Sequence, residues 1–359
     1  MTKPHTLSRR TFGKLALGAG IAAPFGFTRN AWAQGKTITI GIWGGSQGEF
    51  IKREVIPVFE ADFGCTVLAE EGATLANVAK LRATASDPKY SVMFVDDVVV
   101  GLCKQEGLTE ELPASDMPSL ENLYPEFLYE GGYGTALGIS LGGIFYNTGI
   151  TPPATYAELW DPKWAGKIKL VSPNNTPAMF FLIVAAAVKF GLPFSEAQYK
   201  IDDAFDKVAE LKPNVQNVYD SGIQASNEIA QGQADVGLIE YSKYIYPYTD
   251  QGAPVTMGYP AEGAFAGTNC QVLVKNGPER DLAVAFMNRM LDPQVQKPLA
   301  EYALIAPPIA GLDFDEKTLG YIAYPQSAMQ ARGLFTPDWT NINAKRAEWT
   351  EKLNQIFAA

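Results

Sequence analysis

Asp96, Asp97 and Glu240 each close a run of apolar, strand-like residues, and Trp43 and Tyr241 stand at or beside the ends of such runs. Carboxylates gathered beside aromatic rings suit an ammonium group, through charge pairing and cation–π contact. A cationic or amine-bearing solute is therefore the chemistry these residues point to. The same residues also have a plainer role open to them: one Asp capping a helix that starts at Val98, and Glu240 pairing with Lys243. Asp96 and Asp97 can also be read as the acid and base of an exported carboxylate-dependent hydrolase or lyase. Neighbours on a strand face opposite ways, which makes them a poor pair unless the strand has already ended.

The only histidine, His5, lies in an N-terminal segment expected to be removed. A mature chain without imidazole has no Ser-His-Asp or Cys-His nucleophile and no usual zinc site. Cys65, Cys103 and Cys270 are widely spaced and lack a CxxC pattern, so they offer neither a metal cluster nor a redox motif. At most one disulfide can form, and buried thiols are the expectation. Neither a cofactor nor a metal is expected.

Residues 1–33 carry five basic side chains (Lys3, Arg9, Arg10, Lys14, Arg29) and no acidic one. Ser8-Arg9-Arg10-Thr11-Phe12-Gly13-Lys14 reads as a twin-arginine export signature, followed by an apolar stretch over 15–27 and a small-residue cleavage site at Ala31-Trp32-Ala33. That stretch, broken by Gly18, Gly20, Pro24 and Gly26, falls short of the roughly 20 residues a membrane-spanning helix needs. Gly13 stands where the pattern usually has Leu, which leaves the choice of export route open. A periplasmic protein beginning at Gln34 is expected, with 24 basic against 39 acidic residues and a formal net charge of −15. Such a balance makes nucleic acid a poor partner.

The 326 residues that remain exceed what one core usually holds, so two lobes are expected. Strand patterns over 37–43, 65–69 and 91–95 alternate with helical patterns from 48, over 74–85 and over 98–105. A second series begins with a strand at 168–171, followed by helices near 178–189, 195–211 and 221–231 and strands near 215–219 and 234–239. The fold class is α/β, with mainly parallel sheet and helices on both faces. Ligands in such folds bind beyond the carboxyl ends of strands. Those places hold Trp43, Gly45 and Ser46; Thr74; Asp96 and Asp97; Asn175 and Thr176; Asp220 and Ser221; and Glu240 and Tyr241. Gly44-Gly45-Ser46 matches neither GxGxxG nor GxxxxGK[ST], so a nucleotide is not implied.

Five segments, in order, resemble the periplasmic receptors of polyamine-type (spermidine/putrescine) ABC importers, within the family 1 extracellular solute-binding proteins. Leu159-Trp160-Asp161-Pro162-Lys163-Trp164-Ala165-Gly166-Lys167-Ile168 is similar to that family's "LWDPKYKGKV" stretch. Tyr90-Ser91-Val92-Met93-Phe94-Val95-Asp96-Asp97 resembles its "YDVVWLDD"-like strand, and Gly143-Ile144-Phe145-Tyr146-Asn147 its "GIAYN" strand. Gln231-Gly232-Gln233-Ala234-Asp235 resembles its "GEAxxA" segment, and Pro260-Ala261-Glu262-Gly263-Ala264-Phe265 its "P-EGA" turn.

The resemblance implies a two-lobed periplasmic binding protein of type II, hinged at two crossovers near 133–141 and 259–268. Lobe 1 would comprise 34–138 with 262–310, and lobe 2 would comprise 139–261 with 311–359. It implies a monomer that closes on a small organic solute and delivers it to an inner-membrane ABC permease. Phe265 and Asn269 join the candidate contacts through the "P-EGA" turn and the segment after it. There the polyamine readers carry a Trp-x-Asp element, whereas this chain reads Ala266-Gly267-Thr268-Asn269. That departure counts against a long linear polyamine and admits a smaller amine-bearing solute such as an omega-amino acid, for example 4-aminobutyrate, its carboxylate held at a helix N-terminus near Ser46, Thr74 or Thr176. Ferric iron is the alternative, since related receptors hold it with paired tyrosines and Tyr241, Tyr244, Tyr246 and Tyr248 crowd the matching region. Helical spacing would scatter those four around an axis.

Overall fold

Ile38, Ile40 and Ile42 are fully buried while Thr37 is exposed, the period of two that a half-covered strand requires. This first strand, β1 (Thr37–Ile42), is followed in chain order by β2 (Thr66–Glu71), β3 (Val92–Asp96), β4 (Thr109–Glu110) and β5 (Leu128–Tyr129). Then come β6 (Gly134–Asn147), β7 (Ile168–Val171), β8 (Val215–Tyr219), β9 (Val236–Tyr241), β10 (Val255–Gly258) and β11 (Phe265–Val274). The computed structural model describes residues 35–357, so the export segment 1–33 lies outside the described residues.

The strands join in the order β2-β1-β3-β11-β6-β9-β7-β8. On one flank β1 pairs parallel with β2 and β3, and on the other β7 pairs parallel with β8 and β9. Between the flanks the pairing is antiparallel: β11 pairs with β3 and β6, and β6 with β9. The expectation of mainly parallel sheet thus holds for the flanks and fails at the centre. There the chain runs across from one lobe and back from the other, so its two crossing strands oppose each other. β6 and β11 stay paired from Phe265 opposite Gly142 to Gln271 opposite Thr135, with a register shift at Asn269/Cys270.

Two large apolar clusters cover the sheet, one on the first flank and one that reaches from the second flank across to Met93 and Val95 of β3. Ile38, Ile40, Phe59, Phe286 and Leu299 belong to one, which packs the helices Ile56–Phe63, Arg280–Met290 and Pro293–Ala303 beside β1 and β3. Phe145, Leu170, Phe181 and Leu238 belong to another, built around the helix Pro177–Phe190. That helix is buried along its first eleven residues, begins on a proline and ends at Gly191 in the left-handed conformation (φ 65°). Its fourteen residues make a core helix, and no described helix is long and apolar enough to cross a membrane.

Cys65, Cys103 and Cys270 are all free and buried. The helical pattern over 195–211 is broken into Phe194–Ala197, a 3-10 turn Ile201–Ala204 and Phe205–Glu210. Tertiary pairing overrides the local period here: Lys200 leaves the helical region (φ −120°, ψ 14°), and Asp202 just beyond it accepts from Trp349 Nε1 at 2.7 Å and pairs with Lys345. Trp349 and Lys345 lie on the C-terminal helix Trp339–Phe357.

Candidate ligand-binding cleft

The C-terminal ends of β3 and β9 meet the first turns of the helices Thr74–Ala83, Pro177–Phe190 and Gly222–Ala230 around a cleft of about 460 Å³. Thr74, Asp96, Asn175, Thr176, Glu240 and Tyr241 line it, together with Asp220, Gly222, Tyr244 and Arg346. Counting Asp220 and Ser221, eight of the fourteen residues singled out by sequence therefore border one space. The other six are placed differently.

Trp43, Asn269 and the hydroxyl of Thr74 hold Asp96 in position. Thr74 Oγ1 donates to Asp96 Oδ2 at 2.7 Å, and accepts from Trp43 Nε1 at 3.1 Å and from the Asp96 backbone N–H at 3.2 Å. One donor and two acceptor sites are all a hydroxyl has, so this residue is fully engaged. Asn269 Nδ2 donates to the other carboxylate oxygen, Asp96 Oδ1, at 2.8 Å, and its own carbonyl accepts from Lys243 Nζ at 3.4 Å. The amide that departs from the polyamine readers' Asp thus supplies a donor to Asp96. An aspartate at 269 would set a second carboxylate against it.

Asp97 turns the other way. Buried, it accepts from Trp339 Nε1 at 2.8 Å, and it borders a second cavity, of about 480 Å³, with Trp339 and Asn343. Burial pushes its carboxyl up to about 7, with the Trp339 N–H opposing and Asp96 adding to the rise. Phe265 is fully buried, stacked on Phe180 at 4.5 Å and on Phe194 at 4.6 Å. Gly45 and Ser46 are exposed at the start of the short helix Gly45–Phe50 and do not border the cleft.

Glu240 is almost wholly buried, and burial raises its carboxyl to about 7 against the pull of the Tyr241 backbone N–H and Lys243. Oε1 accepts from that N–H at 2.8 Å. The carboxylate fits because residue 222 is glycine: a Cβ there would come within 2.4 Å of Glu240 Oε2. Tyr241 is accommodated in the same way, since a Cβ at Gly267 would meet its ring at 2.1 Å. Its ring also meets Phe180 edge-on at 5.8 Å, and Lys243 Nζ lies 5.7 Å from its centroid.

At Thr176 the first two helical amides are already used: Ala178 N donates to Asn175 O and Met179 N to Thr176 O. Thr176 Oγ1 accepts from Arg346 Nη2 at 3.2 Å. Arg346 lies some hundred residues beyond β9 in the chain and gave no sequence signal by itself. The usable signal was a stripe at 339, 343, 346 and 350, one face of a helix. All four reach the region: Trp339 bonds Asp97, Asn343 Nδ2 bonds Val98 O, Arg346 bonds Thr176, and Thr350 Oγ1 bonds Pro173 O. The C-terminal helix therefore touches the ends of both β3 and the loop after β7.

Comparison with known proteins agrees with this architecture. A crystal structure of an ABC transporter from Clostridium perfringens superposes with a TM-score of 0.75 at 21% identity, covering 89% of this chain and 99% of that one. The chain is 25% identical over 255 residues to the spermidine/putrescine-binding periplasmic protein 1 of Haemophilus influenzae, covering 68% of each. It is 24% identical over 330 residues to iron uptake protein A2 of Synechocystis, covering 86% of this chain and 88% of that one. Residues 54–326 match the family model for bacterial extracellular solute-binding proteins, and the chain belongs to that family.

Proposed function

We propose that this solute-binding protein is the periplasmic receptor of an ABC importer and captures a small amine-bearing organic solute, a polyamine or an omega-amino acid. One observation carries the reading: Asp96, Asp220 and Glu240 border a single cleft with the rings of Tyr241 and Tyr244, against one cation, Arg346. The excess of carboxylate favours a cationic group, and the rings add cation–π contact. A volume of about 460 Å³ suits a small molecule and not a polymer. The similarity to a spermidine/putrescine-binding protein supports an amine as ligand.

The mechanism is capture by closure. A solute that touches groups on both sides of the cleft, Asp96 at the end of β3 and Glu240 near the end of β9, lowers the free energy of the closed form by its differential affinity. Release to the permease then reverses the same step. Asp96 and Asp97 border different cavities, so an acid–base pair built from these two has no common substrate space.

Ferric iron is the second reading, favoured by Tyr241 and Tyr244 in one cleft and by the similarity to an iron uptake protein. Tyr246 is engaged elsewhere, bonded to the Tyr259 hydroxyl at 3.0 Å. A thermal-shift screen of residues 34–359 against diamines, polyamines, omega-amino acids, dicarboxylates and ferric citrate tests both. Amine-bearing compounds are expected to raise Tm, since they bind only the folded form. A rise with ferric citrate or with amine-free dianions alone would sink the proposal.

A further inference from the structure

Arg346 differs from the other described arginines. Arg53, Arg82, Arg280 and Arg289 each pair with a carboxylate, and Arg332 lies over the Tyr259 ring at 5.0 Å. Arg346 is partly buried, borders the cleft, and forms no ion pair among the described residues; its bond within the chain goes to the neutral hydroxyl of Thr176. A guanidinium stays charged at any physiological pH and presents five donors in a planar fork that matches a carboxylate. Burial disfavours its charge, a cost that an anion from outside the chain would offset.

Among the described residues no acid of the same cleft forms an ion pair with Arg346. Asp96 is held by Thr74 and Asn269, and Glu240 by the Tyr241 amide beside Gly222. Cationic and anionic receptors thus share one cavity without neutralising each other. The complement of such a cavity has its own opposite charges held apart.

We infer that Arg346, positioned by Thr176, is the anion anchor of the cleft, and that the solute class is an amino acid whose amine and carboxylate are separated by a carbon chain. This rests on the amine reading above and narrows it, because a diamine would bring a second cation against Arg346.

Isothermal titration of residues 34–359 with omega-amino acids of three to six carbons, 1,4-diaminobutane and butanedioate tests the assignment. The unaltered protein should bind one of the omega-amino acids more tightly than the diamine. Arg346→Gln should weaken that binding about 10–100-fold, the loss expected for a charge-assisted hydrogen-bonded pair, while diamine binding holds or tightens. Arg346→Lys keeps the charge and loses the fork, and should fall between the two; it also serves should Arg346→Gln fail to fold. Diamine binding at least as tight as every omega-amino acid, or an equal loss for both ligands on Arg346→Gln, overturns the anchor and leaves the amine reading standing. Arg346-dependent binding of butanedioate with no response to any amine does the reverse. No Arg346-dependent binding of any carboxylate overturns the anchor.

Discussion

Two cavities meet at the end of β3, and consecutive aspartates serve them differently. In front, Asp96 accepts from Thr74 and Asn269 and borders the cleft. Behind, Asp97 is desolvated and accepts from Trp339 on the C-terminal helix. The residue type is the same and a tryptophan stands near each, Trp43 acting through Thr74 and Trp339 directly. Side-chain direction separates them: β3 ends at Asp96 and Asp97 opens the 3-10 turn Asp97–Val99, so one carboxylate borders the cleft and the other enters the packing between chain segments. The lesson is that a carboxylate becomes a receptor group by being fixed yet accessible, and a structural tie by being fixed and covered.

Removing the tie should have the largest effect. Trp339→Ala takes away the donor to Asp97 and the ring set 5.8 Å from Phe180, and should cost about 3–5 kcal/mol of stability in urea unfolding. A loss below about 1 kcal/mol would mean that the rear cavity is not a structural joint.

Asp97→Asn sharpens the contrast through pH. The folded carboxyl is raised from 3.8 to about 7, so the folded state favours the protonated form. Its contribution is fully present below the unfolded value and is lost as pH rises through the folded one. Stability should therefore decline between about pH 4 and 7 by up to roughly 3–4 kcal/mol from this group, and the Asn variant should lack that part of the slope. Parallel profiles for the two proteins would remove the desolvation argument.

Asp96→Asn should do the opposite of both. Unfolding should change by less than about 1 kcal/mol, while affinity for an amine-bearing solute drops about 10–100-fold in titration calorimetry. Unchanged affinity would place the amine receptor at Glu240 or Asp220 and not at the front of β3.

Much of this arrangement was legible because it follows from chain geometry. Alternation in 37–43 and the apolar run at 91–95 mark the strands, and ligand positions in α/β folds gather just beyond their ends. Thr74, Asp96, Asn175, Thr176, Glu240 and Tyr241 came out together for that reason. Asp97 and Phe265 look the same in sequence as cleft residues, since pattern gives a face only when the neighbour covering it is known. Arg346 was beyond reach because its meeting with Thr176 depends on how the last helix docks, 170 positions further along the chain. The break in 195–211 has the same origin, as Asp202 answers to Trp349 and not to its own helix.

The paired strands β6 and β11 carry a mechanical consequence. Rungs of hydrogen bonds run between them from Phe265 to Gln271, so sliding one strand along the other would break many at once, whereas flexing the ribbon breaks few. The regular run of rungs is interrupted at Asn269/Cys270, where the register shifts. Asn269 is also the residue that grips Asp96. On the closure proposed above, the slipped rung and the grip on Asp96 fall on one peptide, so a solute that pulls on Asp96 would act close to where the ribbon flexes.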